Sequence, residues 1–248
     1  MIVVENLHKS FGDKKNPVHA VAGVSFTAPD GQITGLLGPN GAGKTTTMRM
    51  LYTLMAPDQG RVLVDGFDAV RQATEVRTRL GVLPDARGLY KRLTARENIE
   101  YFARLQGISE SVIAERIASL SQRLDLAEIL DRRTEGFSNG QRVKTALART
   151  LIHDPSNVIL DEPTNGLDVM STRSLRKVML GLREEGRCVL FSSHIMQEVA
   201  ALCDTIVVIA KGRVVASGSA EALRELGGSA NLEDAFVKII GSDEGLMA

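Results

Sequence analysis

Cysteine is nearly absent from this chain: Cys188 and Cys203 are the only two in 248 residues. They show no metal-ligand spacing and fit a reducing cytosol. Cys203 falls in an apolar helical run and Cys188 at the start of a strand pattern, so both are expected as small core residues. An excess of charge is also missing, since Lys+Arg and Asp+Glu number 30 each. No overall field therefore draws the chain to nucleic acid or acidic lipid, and no nucleic-acid partner is expected. No apolar run approaches the roughly 18 residues of a membrane span. Met1-Ile2-Val3-Val4-Glu5 meets a charge too soon to be a signal peptide, so a protein soluble by itself is expected. Repeats, low-complexity linkers and heptad arrays are lacking as well. Aromatic residues make up only 4%, which makes Phe11 conspicuous in its polar surroundings. At this length the chain can bury a sizeable core, as one large domain or two small ones.

What is present is more informative. An apolar run, Ile33–Leu37, leads into Gly38-Pro39-Asn40-Gly41-Ala42-Gly43-Lys44-Thr45, and a helix-forming run follows from Thr46 to Met55. Gly-x-x-x-x-Gly-Lys-Thr between a strand and a helix is the context of a phosphate-binding loop. The glycines let successive N–H groups face one concavity. The helix start adds its unpaired N–H groups and the positive end of its dipole. Lys44 supplies a point charge for the β- and γ-phosphates, and the Thr45 hydroxyl suits a Mg²⁺ ligand. The chain is expected to bind a nucleoside triphosphate.

Short β-branched runs alternate with helical patterns. Strands are expected at Val18–Ala28, Ile33–Leu37, Arg61–Val64, Val158–Leu160, Arg187–Ser192 and Thr205–Ile209. A last hairpin turns at Lys211-Gly212 before Arg213–Ala216. The central runs are almost wholly apolar, as strands buried on both faces of a mainly parallel sheet should be. The amino-terminal runs and the last hairpin read as antiparallel. Thr94–Gln106, Glu110–Leu124 and Ala127–Leu130 carry helical spacing with no strand among them. The expected fold is therefore α/β, with an antiparallel β portion and an inserted helical subdomain at 93–136. The core takes 1–92 and 137–219, and a helical appendage (Ala220–Leu226, Leu232–Ile240 and a polar end) takes 220–248.

Val158–Leu160 ends in two adjacent carboxylates, Asp161 and Glu162. At the carboxyl edge of such a sheet they are placed to manage Mg²⁺ and the attacking water, Asp161 in the metal shell through water and Glu162 as general base or water-positioner. Phe137-Ser138-Asn139-Gly140-Gln141 opens the helical run Arg142–Ile152. Ser-x-x-Gln is a capping box, and a helix start with Ser138 and Gly140 exposed is also a γ-phosphate receptor. Both readings stand together. His194, after the strand run, is either structural or catalytic, and Phe11 is either core or a stacking surface.

In this order, along nearly the whole chain, the segments resemble the ATP-binding cassette family, the nucleotide-binding subunits of ABC transporters. Gly38–Thr45 match its Walker A loop, with Thr46 beside it, and Phe11 matches the aromatic that stacks on adenine. Ser138-Asn139-Gly140-Gln141 are similar to its signature motif, Val158–Glu162 to Walker B, Gly166-Leu167-Asp168 to the D-loop and His194 to the switch histidine. The resemblance implies a P-loop NTPase core of the RecA-like kind and an ATPase using Mg²⁺. Lys44, Glu162 and His194 would be catalytic, and Thr45, Asp161 and Asp85 would stand near the metal. It also implies a head-to-tail dimer, in which Ser138, Asn139, Gly140, Gln141 and Asp168 serve the ATP of a second copy of the chain. A transmembrane permease partner would hold it at the inner face of the cell membrane.

Two departures mark this chain. Asn139 stands where the family usually has Gly, and Asn tolerates turn geometry. Asp85, in Gly81-Val82-Leu83-Pro84-Asp85-Ala86-Arg87-Gly88-Leu89-Tyr90, stands where the family usually has Gln. A carboxylate can join a Mg²⁺ shell but adds negative charge beside the γ-phosphate. Leu89, Tyr90 and Leu93, rimmed by Lys91 and Arg92, make a patch suited to a protein contact. Gly166–Met170 and Leu232–Phe236 are similar to bacterial sodium-extrusion and drug-export subunits. The opposing expectation is a soluble cassette ATPase working outside transport.

Overall fold

Alternation of apolar side chains decides where the layers of this protein meet. The computed structural model describes residues 1–13, 16–85 and 88–241. Ala86 and Arg87 of the 81–90 segment, and the polar end of the tail at 242–248, lie outside them. The chain opens with β1 (Ile2–Phe11), β2 (Val18–Ala28) and β3 (Ile33–Leu37), which feeds α1 (Lys44–Leu51). β4 (Gln59–Val64), β5 (Phe67–Asp68), α2 (Ala73–Arg79) and β6 (Leu80–Leu83) follow. Three helices come next, α3 (Ala95–Leu105), α4 (Glu110–Leu124) and α5 (Asn139–Leu151), and then β7 (Asn157–Leu160). The rest is α6 (Val169–Glu184), β8 (Cys188–Ser193), α7 (Met196–Leu202), β9 (Thr205–Ala210), β10 (Arg213–Gly218), α8 (Ala220–Gly227) and α9 (Leu232–Ile240).

Two sheets form. One is antiparallel, in the order β2-β1-β4-β5, and the other has the order β10-β9-β3-β8-β7-β6. In the second, β9, β3, β8, β7 and β6 are parallel, and β10 returns antiparallel to β9. Successive side chains of a strand point to opposite faces, and here each face has its own core. Val158 and Leu160 of β7 and Val189 and Phe191 of β8 join the core shared with α3 to α9. Ile159 and Leu190 face the other way, into a core built with α1, α2 and the antiparallel sheet. Burial on both faces is why these runs carry almost no polar residue.

The expected strands are all present, and several expectations need correction. β1 was not expected as a strand, because Glu5-Asn6 and His8-Lys9 interrupt its apolar pattern. Its register shifts at those points, and Asn6 takes φ 48° there, so Ile2, Val4 and Leu7 all still face inward. β6 is only four residues long and contains Gly81, so its pairing with β7 makes it a strand more than its composition does. Ala127–Leu130 forms turns and not a helix. α1 starts at Lys44 and stops at Leu51, with Thr53 in the left-handed region at φ 63°. Elsewhere α4 and α9 have the expected bounds, and Thr94 closes a capping box with Glu97 at the start of α3.

Cys188 is buried in β8, where burial pushes its thiol up to about 12. Cys203 follows α7 and is half-buried, and its thiol is pushed up further by the same cause. Cys203 also explains a glycine. A Cβ on Gly35, in β3, would lie 2.5 Å from Cys203 Sγ and 2.8 Å from Val199 Cγ1. Gly35→Ala is therefore expected to lower stability by about 1–3 kcal/mol, the usual cost of overpacking. Adding Cys203→Ala should recover part of that loss in thermal unfolding. Simply additive losses in the double variant would show that this contact does not set the spacing of α7 on the sheet.

Candidate functional site

Because β3, β8, β7 and β6 lie side by side and point the same way, their carboxyl ends gather four separate sequence segments. The glycine-rich loop leaves β3, His194 follows β8, Asp161-Glu162 follow β7 and Asp85 follows β6. This edge is where an open α/β sheet binds its ligand. A cleft of about 510 Å³ opens there, lined by Phe11, Asn40 to Thr46, Asp85, Glu162 and His194. Ala20 and Asn165 line it too and were not foreseen.

Two glycines of the loop are demanded by close approach. A Cβ on Gly38 would lie 2.3 Å from the Ile209 carbonyl oxygen. Gly43 has φ 103°, and its Cβ would lie 2.4 Å from the Ala20 carbonyl oxygen. The Lys211-Gly212 turn braces the loop from outside, the Gly212 N–H donating to the Ala42 carbonyl at 2.9 Å. Lys44 folds back across the loop. Its Nζ donates to the Gly38 carbonyl at 2.7 Å and to that of Pro39 at 3.2 Å, with Glu162 Oε1 at 3.9 Å. Only 6% of Lys44 is exposed. Burial holds its ammonium below the ordinary lysine value, although Glu162 and Asp161 pull the other way.

The acidic pair is held by a residue that the pattern did not single out. Ser192 Oγ donates to Asp161 Oδ1 at 2.6 Å and accepts the Glu162 N–H at 2.9 Å. Asp161 is buried, and that burial pushes its carboxyl above the usual range against the pull of Ser192. Glu162 takes φ 46°, a left-handed backbone uncommon for a side chain of this kind. Such strain persists where surrounding structure enforces it. His194 Nδ1 lies 2.9 Å from Glu162 Oε2. Since a carboxylate only accepts, Nδ1 carries the proton and Nε2 is left for another partner. The signal for Ser192 was available: two serines close an otherwise apolar strand immediately before His194.

The helix start at Ser138 carries both halves of the capping box. Gln141 N–H donates to Ser138 Oγ at 3.2 Å, and Ser138 N–H donates to Gln141 Oε1 at 3.0 Å. Ser138 is exposed, but Gly140 is buried, contrary to expectation. A Cβ there would lie 2.5 Å from Ser171 Oγ, so a larger residue would have to turn that hydroxyl aside. Asn139 Nδ2 donates to the Gly166 carbonyl at 3.1 Å. Asp168 caps α6 through the Ser171 N–H at 2.8 Å, and this bond holds its carboxyl below the usual range. None of Ser138, Asn139, Gly140, Gln141 or Asp168 lines the cleft around Lys44.

Ser192→Ala would leave a buried carboxylate oxygen and a backbone N–H without their shared partner. A loss of about 1–3 kcal/mol in urea unfolding is expected. A loss below about 0.5 kcal/mol, the range of an ordinary surface substitution, would mean that Ser192 does not organise the pair.

Comparison with known proteins agrees on one family. Residues 21–165 match the family model described as ABC transporter. Over 238 residues the chain is 47% identical to the ABC transporter ATP-binding protein NatA of Bacillus subtilis (strain 168), covering 96% of this chain and 97% of that protein. It is 39% identical over 228 residues to a daunorubicin resistance ATP-binding protein of Streptomyces coeruleorubidus, covering 92% of this chain and 71% of that one. A solved structure of the ATP-binding subunit of an ABC transporter superposes with a TM-score of 0.86 at 29% identity, covering 96% of this chain and 99% of that one.

Proposed function

Because this chain belongs to the ABC transporter family, as an ATP-binding and ATP-hydrolysing subunit, we propose that Glu162 and His194 carry out hydrolysis at a site completed by a second copy of the chain. The observation that carries this reading is the contact of His194 Nδ1 with Glu162 Oε2 at 2.9 Å, in the cleft that Lys44 shares. Glu162 takes the proton of the attacking water. His194 holds Glu162 through Nδ1 and uses Nε2 toward the γ-phosphate. Lys44 exchanges the carbonyls of Gly38 and Pro39 for β- and γ-phosphate oxygens, while N–H groups from Asn40 to Thr46 cradle the phosphates. Phe11, 41% exposed at the mouth of the cleft, supplies the stacking surface for adenine.

The oxygen donors present fit Mg²⁺ arriving with ATP. Thr45 is exposed in the cleft, Asp85 lines it, and Asp161 has one oxygen uncommitted after Ser192 takes the other. Among the described residues no group of three or more His, Cys, Asp or Glu could cage a metal. That suits an ion which keeps its waters and is held largely by phosphate. When bound, the ion neutralises charge on the β- and γ-phosphates.

The residues of the signature segment, Ser138 to Gln141, and Asp168 belong in this reading to the partner's ATP, because they lie outside the cleft of their own chain. We read 1–92 and 137–219 as the core, 93–136 as a helical subdomain and 220–248 as an appendage, whose last residues, 242–248, lie outside those described. No described helix is long and apolar enough to cross a membrane. As the ATP-binding subunit of an ABC transporter the chain works with a transmembrane permease, which supplies the path and holds the chain at the cytoplasmic face. The name of the daunorubicin resistance relative supports export of drugs, and sodium ions stand beside them as a cargo through the likeness of Gly166–Met170 and Leu232–Phe236 to sodium-extrusion subunits.

A groove of about 480 Å³ between core and subdomain suits that permease. It is lined by Tyr52, Leu54, Phe102, Gln106, Arg149 and His153 among others, with Leu54 71% exposed. Tyr90 stands beside it, edge-on to Tyr101 at 5.6 Å. Leu89 packs against the core instead, so the exposed patch is more aromatic than its sequence suggested.

Lys44→Ala should weaken nucleotide binding and hydrolysis together. Glu162→Gln should keep binding but lose about 10²–10⁴ in rate, as loss of a general base does. Nucleotide titration beside phosphate release checks both, and a Glu162→Gln protein working at wild-type rate removes Glu162 from the base role. In sedimentation with saturating Mg-ATP the same variant should be a dimer. Persistent monomer, with permease present, would sink the shared site. Tyr90→Ala should leave ATPase activity of the isolated chain intact and abolish stimulation by reconstituted permease. Equal loss without permease would mark Tyr90 as a packing residue.

A further inference from the structure

A buried carboxylate lies behind the hydrolytic pair and has no part in the chemistry described so far. Glu198, in α7, is 6% exposed. Its Oε2 accepts the Thr164 hydroxyl at 2.7 Å and the Ser193 hydroxyl at 3.4 Å. Its Oε1 faces Arg176 Nη2 of α6 at 3.9 Å. Burying a charge is costly unless it is paired and hydrogen-bonded, and here three segments converge to meet that need.

Each of those segments carries part of the site. Thr164 stands two residues after Glu162, joined to it through buried Pro163, whose ring fixes φ. Ser193 immediately precedes His194, and its Oγ also accepts the Ile195 N–H at 3.0 Å, so that one oxygen spans the histidine in sequence. Arg176 belongs to the helix that Asp168 caps. His194 itself is 47% exposed, whereas Glu162 is 15% exposed and also faces Lys44 Nζ at 3.9 Å, so the histidine is the less confined of the two.

We propose that Glu198 is a positioning residue for the Glu162–His194 pair, one buried carboxylate tying the turn after β7 to the turn after β8. The inference rests on the reading of Glu162 as base and His194 as its partner. Ser192 joins the same two strands through Asp161 and the Glu162 N–H. Glu198 adds a second tie between the two turns, through Thr164 on one and Ser193 on the other. Without it only the Ser192 tie sets the distance between base and histidine.

The test compares Thr164→Val, Thr164→Ser and Glu198→Ala in the full chain, each also in a Glu162→Gln background. Thr164→Val should lower kcat about tenfold or more, since misplacement of order 1 Å can cost 10²-fold, and leave ATP affinity within about twofold. Thr164→Ser keeps the hydroxyl and should return kcat close to wild type. Glu198→Ala should lower kcat at least as far. Thr164→Val decides the matter even if Glu198→Ala does not fold. In the Glu162→Gln background these changes should have no further effect on the residual rate, because there is no base left to position. Wild-type kcat in Thr164→Val, a parallel fall in ATP affinity, or an undiminished effect in the Glu162→Gln background would each overturn the proposal. A Glu162→Gln protein of wild-type rate would instead overturn the base assignment on which it rests, so the two failures are distinguishable.

Discussion

Parallel pairing of β3, β8, β7 and β6 is the constraint on which the rest of this protein depends. Glycine-rich loop, histidine, acidic pair and Asp85 are scattered from residue 38 to residue 194 in sequence. They meet because their four strands end at the same edge in register, Leu37 beside Ser193, Phe191 beside Leu160, and Leu83 beside Leu160 on its other side. A slip of one residue in any pairing would send side chains to the opposite face. Burial of both faces under separate cores makes such a slip costly.

Charge at this edge is opposed by desolvation and kept by a small number of hydrogen-bonding and ionic partners. Asp161 is pushed toward its neutral form by burial, while the Ser192 hydroxyl opposes that shift. Lys44 is pushed the same way, toward neutrality, while two carbonyls and Glu162 share its ammonium. Incoming phosphate and its metal would supply counter-charges that the isolated chain lacks, so binding relieves groups already held in place. Such electrostatic preorganisation is where most of the rate of phosphoryl transfer arises.

Much of this was legible in the residues. Ile33–Leu37 and the run after it carry a strand, turn and helix in that order, and the structure keeps the order while starting the helix at Lys44 and ending it at Leu51 instead of Met55. Val158–Glu162 was equally clear, an apolar strand that stops at charge. The first strand was not, because its bulge at Asn6 hides the alternation, and β6 was not, because four residues with a glycine look like a loop until β7 pairs with them. Gly140 was misjudged as exposed, since the presence of Ser171 across the helix pair cannot be seen along the chain.

By itself, then, the sequence determined the local chemistry: which residues can cradle phosphate, bind a metal shell, take a proton or cap a helix, all properties of short segments. Which of those segments meet was settled by folding. It placed His194 on Glu162, put Ser192 between Asp161 and the backbone of Glu162, drew Asn139 to the Gly166 carbonyl, and buried Glu198 against Thr164 and Ser193. The physical reason is range. Propensity, capping and turn chemistry act over a few residues, whereas these contacts, the local one of Glu198 with Ser193 apart, join positions 27 to 34 apart and depend on strand order, which is settled by how two apolar faces are covered at once.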